Sequence, residues 1–317
     1  MISFIIIGRN EGIRLINCLT SITDFCSKNQ IIDNEVIYVD SDSFDNSIEL
    51  AKKFCTKILK LTGDINAAVA RNEGARIASG DVLFFVDGDM ELLSSFYSYA
   101  FNDTKLIYPF VSGYFINNYH DNSGTYLYSE IYLKSKPKVK DEFQVTTGGL
   151  FIITTEHWQN LGAMDTKFTT GEDLDLGLRS TKKGLKLLKI NQPFAFHNTI
   201  NYNLRLKLFN KNDIYVRSCL YRKHLFNKYL YKQILVRDPS LILLLFSLLI
   251  FLLSTSKLII LFYLTVVLFF SIITNSKNLI KVPFRFVYQV TRDCLNLVAF
   301  LFYFPQNKTE YKVVQYK

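Results

Sequence analysis

The sequence predicts an α/β domain, a mostly parallel sheet flanked by helices, followed by an α-helical, membrane-associated C-terminal region. Three observations carry this reading. Over the first 200 residues short apolar runs alternate with stretches of helical spacing, the pattern of strands joined by crossover helices. Leu241–Ile273 is an apolar run broken by a single charge, Lys257. Charge and glycine divide in the same region. Residues 1–200 hold 20 Lys and Arg against 24 Asp and Glu, residues 201–317 hold 17 against 4, and all 14 glycines precede residue 185. The net charge of +9 therefore averages a slightly acidic part with a strongly basic one.

In the first part, Ile2–Ile7, Val36–Val39, Ile58–Leu61 and Val82–Val86 are strand-like, and the residues around 12–24, 45–54 and 65–78 carry helical spacing. Ligands of such sheets bind beyond the carboxyl ends of the strands. Polar clusters fall there: Gly8-Arg9-Asn10-Glu11, then Asp40-Ser41-Asp42-Ser43, then Asp87-Gly88-Asp89. No G-x-G-x-x-G follows the first strand and no G-x-x-x-x-G-K-[ST] occurs, so dinucleotide and P-loop chemistry lack their loops. Five scattered cysteines without a C-x-x-C pair argue against a disulfide framework and a structural zinc site.

Asp87-Gly88-Asp89 is the sharpest site. Side chains two apart on an extended chain point the same way, and two hard oxygen donors suit Mg²⁺ or Mn²⁺ shared with a diphosphate. The competing reading is the Asp-Gly turn of a hairpin. A second acidic cluster, Gly171-Glu172-Asp173-Leu174-Asp175, opens a helix. Thr170 with Asp173 resembles a capping box; alternatively a carboxylate there is a general base that takes a hydroxyl proton. His197 follows an expected strand, Leu185–Ile190, and Pro193, and is either a hydrogen-bonded structural residue or a ligand.

The apolar run would be about 50 Å long as one helix, against a hydrocarbon core of about 30 Å. Ser254-Thr255-Ser256-Lys257 divides it into segments at roughly 239–256 and 258–274, a helical hairpin that either crosses the bilayer or re-enters it. Arg205, Lys207, Lys211, Arg217, Arg222, Lys223, Lys228, Lys232 and Arg237 precede it, opposed by Asp213, and Lys277, Lys281, Arg285 and Arg292 follow. By the positive-inside rule both flanks, and the preceding domain, face the cytoplasm. Tyr215, Tyr221, Phe226, Tyr229 and Tyr231 are expected interfacial anchors. Basic and aromatic residues together also suit single-stranded nucleic acid, but the adjoining apolar run favours lipid, and no nucleic-acid partner is expected. Phe284–Phe304, with Arg292 and Asp293 inside it, reads as an interfacial amphipathic helix rather than a third span. The expected divisions are 1–200, 201–238 (juxtamembrane), 239–274 (hairpin) and 275–317 (amphipathic helix and tail).

Taken together these pieces resemble the family 2 inverting glycosyltransferases with the GT-A fold. Ile5-Ile6-Ile7-Gly8-Arg9-Asn10-Glu11-Gly12 is similar to their first strand and donor loop, and Val39-Asp40-Ser41-Asp42-Ser43 to their second acidic loop. Ala70-Arg71-Asn72-Glu73-Gly74 leads into Asp87-Gly88-Asp89 as in their D-x-D block. Gly148-Gly149-Leu150-Phe151 and Gly171-Glu172-Asp173 are similar to the acceptor-side strand and E-D motif. The resemblance implies donor contacts from Gly8, Arg9, Asn10, Glu11, Asp40 or Asp42, Arg71, Asp87 and Gly88. It implies a Mn²⁺ or Mg²⁺ on Asp87, Asp89 and His197, and Asp173 as the base, supported by Glu172. A nucleotide-sugar donor, a lipid-linked or polyprenyl-phosphate acceptor and membrane lipids are the expected partners. The Q-x-x-R-W signature of processive members is absent, so single additions are expected. The alternative is a catalytically inert, membrane-tethered binding protein on the same fold.

Overall fold

In the computed structural model, which describes residues 1–316 apart from 122, 133–139, 201–210, 255 and 276–278, the first apolar run is strand β1 (Ile2–Gly8). Side chains of a strand alternate between faces. Here both faces are covered, which is why Phe4–Ile7 is continuously apolar and the one polar residue, buried Ser3, is bonded to Glu35. Phe4 and Ile6 join Phe25 and Phe84 in one core layer. Ile5 and Ile7 join Val69, Ala70 and Phe85 in the other. The alternation continues through α1 (Ile13–Lys28), β2 (Asn34–Ser41), α2 (Ser47–Ala51), β3 (Lys57–Gly63), α3 (Ala67–Ile77) and β4 (Val82–Asp87). These strands pair in parallel as β4-β1-β2-β3, the expected parallel centre. Asn66 starts α3 by accepting a 2.9 Å bond from the Val69 amide, an ordinary side-chain cap.

Next come β5 (Met90–Leu92), the short α4 (Tyr97–Ala100), a small hairpin of β6 (Phe101–Asn102) and β7 (Lys105–Leu106), then β8 (Phe110–His120), β9 (Tyr126–Ile131) and β10 (Glu142–Gln144). β11 (Phe151–Thr154), α5 (Thr155–Leu161), α6 (Glu172–Lys182) and β12 (Leu187–Ile200) follow. The sheet order is β10-β12-β8-β11-β4-β1-β2-β3, followed by β13 (Tyr311–Tyr316), with β5 on β12 and β9 on β8. Because β5 pairs with β12 and not with β4, Asp87-Gly88-Asp89 is a turn between partners of different strands. The hairpin reading of that motif is thereby removed. β12 begins where the sequence places it but runs on past Pro193, whose missing N–H is absorbed by register shifts between Lys189 and Ala195. His197 therefore lies inside a strand rather than after one.

The last strand, β13 (Tyr311–Tyr316), pairs antiparallel with β3 over six residues, where the sequence reading has only a tail. Lys308 Nζ meets Asp64 at 2.6 Å, and the Tyr311 hydroxyl donates to Glu73 at 2.9 Å. The chain thus divides into two compact units, residues 1–202 with 306–317, and residues 203–305.

The second unit, taken by itself, is helical: α7 (Lys211–Lys223), α8 (Lys228–Arg237), α9 (Pro239–Ser254), α10 (Leu258–Thr274) and α11 (Val282–Phe302). The expected break between the two apolar segments is present, with α9 and α10 on either side of it. Leu244, Tyr263 and Val267 form its small apolar core. One face of α11 is polar and buried, and it bonds to three neighbours. Gln289 donates to Ser240 of α9 at 2.7 Å, Asp293 accepts from Tyr263 of α10 at 2.9 Å, and Asn296 accepts from Ser218 of α7 at 2.8 Å. Arg292 pairs with buried Asp238 at the α8–α9 junction. The Arg292-Asp293 pair, costly against lipid, thus finds partners within the bundle, although the buried Arg292 Nε has none. Among the described residues no single helix is long and apolar enough to cross a membrane; α8 with α9 reaches the required length together, but bent by 103°. Of the residues named in the basic flanks and the polar break, Arg205, Lys207, Thr255 and Lys277 lie outside the described residues, as do the side chains of Lys211 and Asp213.

Candidate active site

The carboxyl ends of β1, β2 and β4 bring the acidic loops of the sequence to one side of the sheet, and α3 supplies the cation that joins them to the second acidic cluster. Arg71 is almost wholly buried and donates from one guanidinium nitrogen to Asp87 at 2.7 Å and from the other to Glu172 at 3.0 Å. A planar guanidinium suits two carboxylates at once. Burial opposes its charge, but the two carboxylates outweigh that and hold its pKa above the usual value. Burial raises Asp87, with Arg71 pulling the other way. Burial likewise pushes Glu172 up to about 7 against the pull of Arg71. The D-x-D block and the E-D motif are therefore one charge-coupled unit, although 85 positions separate Asp87 from Glu172 in the sequence.

A double-glycine turn lies between the two motifs. The Gly148 amide donates to Asp173 Oδ2 at 3.1 Å. Gly149, at φ +86°, lies so close to the other motif that a Cβ there would sit 2.4 Å from Asp87 Oδ2. Only glycine tolerates both the conformation and the approach. The remaining Asp173 oxygen accepts from the Leu174 amide at 2.8 Å. The capping-box reading of Thr170 and Asp173 does not hold: the residue before α6 is Gly171 in the left-handed region, without a side-chain cap. Asp175 is structural, buried and bonded to Arg179 at 2.8 Å. Gly177 allows α6 to approach the backbone of Val145, where a Cβ would sit 2.0 Å from the carbonyl oxygen. That close approach sets Asp173 against the turn.

Asp89 and His197 meet across the turn after β4 and strand β12, with Nε2 at 3.2 Å from Oδ2. Burial disfavours the imidazolium, but the bond to Asp89 and the charges of Asp89 and Asp87 prevail and raise its pKa. Nδ1 is 2.9 Å from Asn117 Oδ1. With the imidazole neutral, an Nδ1–H donated to Asn117 leaves Nε2 as the ligating nitrogen. Asn117 carried no signal in the sequence. Glu11 packs against Gly8 and Gly88, and burial followed by the Asp89 charge pushes it up to about 7. Each of these carboxylates already has a cationic partner, Glu11 in Arg14 at 2.9 Å, Asp87 in Arg71 and Asp89 in His197. Among the described residues no three His, Cys, Asp or Glu side chains converge as a ligand set. Asp89 and His197 therefore offer two donors, and the other positions of a cation would fall to diphosphate and water oxygens.

The second loop is organised by Asp40. It is fully buried, accepting from the Tyr38 hydroxyl at 3.1 Å and the Ser43 amide at 2.9 Å. Ser43 Oγ in turn accepts from the Asn10 amide at 2.9 Å, and Asn10 Oδ1 accepts from the Phe44 amide at 3.0 Å. The first and second loops are thus tied side chain to backbone. Asp42, half-buried at φ +62°, is the more accessible carboxylate of the pair. Arg9 is exposed.

The model of one family, Glycosyl transferase family 2, matches residues 3–156. No curated protein matches the chain. Solved structures resemble it. The crystal structure of S. aureus TarS 1–349 with UDP-GlcNAc superposes with a TM-score of 0.56 at 12% identity, over 95% of this chain and 90% of that one. The same TarS fragment with UDP gives 0.51 at 14% identity, over 73% and 68%. GalNAc-T7 with UDP, GalNAc and Mn²⁺ gives 0.53 at 17% identity, over 72% of this chain and 51% of that one, about half its length. At these identities the structural likeness speaks for the fold, a GT-A-like mixed sheet flanked by helices, and the family model speaks for the chemistry. Residues 3–156, just under half of the chain, match the glycosyl transferase family 2 model, and a nucleotide-sugar-dependent glycosyltransferase is the enzyme class that this match on a GT-A-like fold supports.

Proposed function

We propose that this glycosyltransferase is membrane-associated, metal-dependent and inverting. It moves a sugar from a nucleotide donor, a UDP-sugar in the first instance, to a lipid-linked saccharide or polyprenyl phosphate in cell-surface glycan synthesis, one addition at a time. The observation that carries the reading is the pair of carboxylate stations, Asp87 with Asp89 and Asp173, held on either side of one Gly148-Gly149 turn. The UDP choice rests on the ligands of TarS and GalNAc-T7, and the Mn²⁺ bound by GalNAc-T7 agrees with the fit of Asp89 and His197 to a cation.

The chemistry follows from where the charges sit. Asp173 accepts the proton of an acceptor hydroxyl. The freed oxygen bonds to the donor's anomeric carbon as the bond from that carbon to the diphosphate oxygen breaks, and the electron pair leaves with the nucleoside diphosphate. Attack opposite the leaving group inverts the centre. A divalent cation, when bound, neutralises the departing diphosphate. Arg71 holds Asp87 and Glu172 in register while this occurs. Asp42, Asn10, Arg9 and Glu11 line the nucleotide side, with buried Asp40 bracing their loop through Tyr38 and Ser43, and Gly8 and Gly88 allow the backbone to approach the donor closely.

Support for the lipid acceptor comes from the second unit. Leu252, Leu253 and Leu258 are 72–81% exposed, on helices without a charged residue. The 16 residues of α9 and the 17 of α10 give about 24 and 26 Å, under the roughly 30 Å of a hydrocarbon core. A hairpin dipping into the bilayer, flanked by cations at anionic headgroups, accounts for both facts. The test is UDP release by the purified chain with Mn²⁺ over a panel of UDP-sugars, with and without lipid-phosphate and lipid-saccharide acceptors, beside flotation on anionic vesicles. Acceptor-stimulated release, lost in Asp89→Ala, is expected. No release, together with no Mn²⁺-dependent UDP binding, would favour the inert binding protein.

A further inference from the structure

We propose that Lys189, buried on β12, is a positioning residue: with Ser112 it clamps both ends of the Thr147–Leu150 turn and so holds Asp173 where it must accept the acceptor's proton. The inference rests on the transferase reading above and goes beyond it, to a residue that none of the acidic motifs contains.

Lys189 is 1% exposed. Its ammonium donates to the Thr147 carbonyl at 3.2 Å and to Ser112 Oγ at 3.3 Å. Ser112 then donates its own proton to the Leu150 carbonyl at 2.6 Å. The first and last residues of the turn are therefore held by one buried pair, and the amide between them that bonds Asp173 belongs to Gly148. Thr147, the residue held by Lys189, is itself fully buried, so the turn has no solvent-side slack at that end.

Stability gives no reason for a cation here. Among the described residues no carboxylate lies within ion-pair distance of it, and burial pushes the amine down to about 7, with the Asp173 charge pulling it back up. An apolar side chain of similar length would fill the space without that penalty. What a lysine adds is a donor reaching two groups at once and a positive charge near the Asp173 carboxylate. Among the described residues, Glu172 on its own helix also faces that carboxylate, with Arg71 from α3 beyond Glu172. The Arg71 charge is shared between two carboxylates, whereas no ion pair engages Lys189 among the described residues.

The experiment compares Lys189→Met and Ser112→Ala with wild type in the full chain. It measures melting temperature, Mn²⁺-dependent UDP binding by calorimetry, and kcat, KM and the pH profile of UDP release from whichever UDP-sugar wild type turns over fastest. Lys189→Met is expected to melt no lower than wild type and to bind UDP within twofold. Its kcat should fall about 10- to 100-fold, at unchanged donor KM. The acid limb of its kcat profile should move to higher pH, because the variant removes a positive charge from beside the proton-accepting site. Ser112→Ala keeps the cation and frees one end of the turn, so it should lower kcat less and leave the acid limb in place. Full kcat with an unmoved acid limb in Lys189→Met overturns the proposal. So does a parallel loss of melting temperature, UDP affinity and kcat, which would mark a merely structural lysine. If Lys189→Met does not fold, an unchanged kcat in Ser112→Ala overturns the clamp on its own. A wild type that neither binds nor turns over UDP-sugars overturns the transferase reading and the clamp with it, and is told apart because no variant is needed to see it.

Discussion

Replacing Gly149 by alanine tests the central geometric claim without removing a charged group. The substitution acts in two ways. At φ +86° an L-residue is strained by about 1–2 kcal/mol. The new methyl would also sit 2.4 Å from Asp87 Oδ2 and 3.2 Å from an Arg71 nitrogen. Relieving the first contact to an ordinary van der Waals distance needs a displacement of about 1 Å, and a misplacement of that size at a reacting centre lowers rate about 100-fold. Gly162 provides the control. It is left-handed too, at φ +72°, ending α5, and a Cβ there meets nothing within 4 Å. Gly162→Ala should therefore lose about 1 kcal/mol of stability and keep its kcat. Gly149→Ala should lose a comparable or somewhat larger amount of stability and about two orders of magnitude in UDP-sugar turnover. Chemical denaturation and steady-state UDP release on the two variants are the assays. Equal kcat losses in both would mean that backbone strain, not the approach to Asp87, matters. Full activity in Gly149→Ala would refute the picture of a turn wedged between the two carboxylate stations.

Other outcomes follow from the same contacts. Asp173→Asn should lower kcat about 100- to 10,000-fold with a sugar-hydroxyl acceptor at unchanged UDP affinity, and much less with a phosphate acceptor, which arrives already deprotonated. Comparing the two acceptors therefore reports the acceptor class. Lys189 should leave a signature in stability against pH. Its amine is pushed down to about 7 by burial, so between there and the ordinary lysine range the unfolded chain binds the extra proton and the folded chain does not. Stability should rise with pH across that window. The advantage of Lys189→Met over wild type should be largest below pH 7 and shrink toward pH 10, as read from guanidinium midpoints. Tyr311→Phe removes the hydroxyl bond to Glu73 and should lower stability by about 1 kcal/mol. Deleting residues 306–317 strips the partner from the β3 edge and should lower the melting temperature further and promote aggregation.

The sequence shows the fold best where its signals are local. Ile2–Ile7 and Val82–Val86 are apolar on both faces because both faces are buried, and the acidic loops follow such strands because strand ends are where this architecture opens to ligands. The D-x-D spacing and the E-D pair are legible for the same reason. Pro193 misleads, since a proline normally ends a strand, and here register shifts carry β12 through it to His197. The capping-box reading of Thr170 and Asp173 is sound local chemistry that loses to a tertiary partner, the Gly148 amide. Lys189 could have been noticed as the one charge between Leu188 and Ile190, but only its burial shows that it is more than a solvent-facing residue of an alternating strand.

By itself the sequence determined the α/β alternation, the set of acidic loops, the acidic-to-basic division and the two apolar helices, because periodicity, residue chemistry and segment length are all read within a few turns of chain. The tertiary structure alone decided that Arg71 joins Asp87 to Glu172, that a double-glycine turn separates the two carboxylate stations, and that β13 closes the sheet beside β3. Those depend on residues up to about 250 positions apart meeting, on how close two backbones approach, and on which charges lose their water. No local pattern encodes any of these.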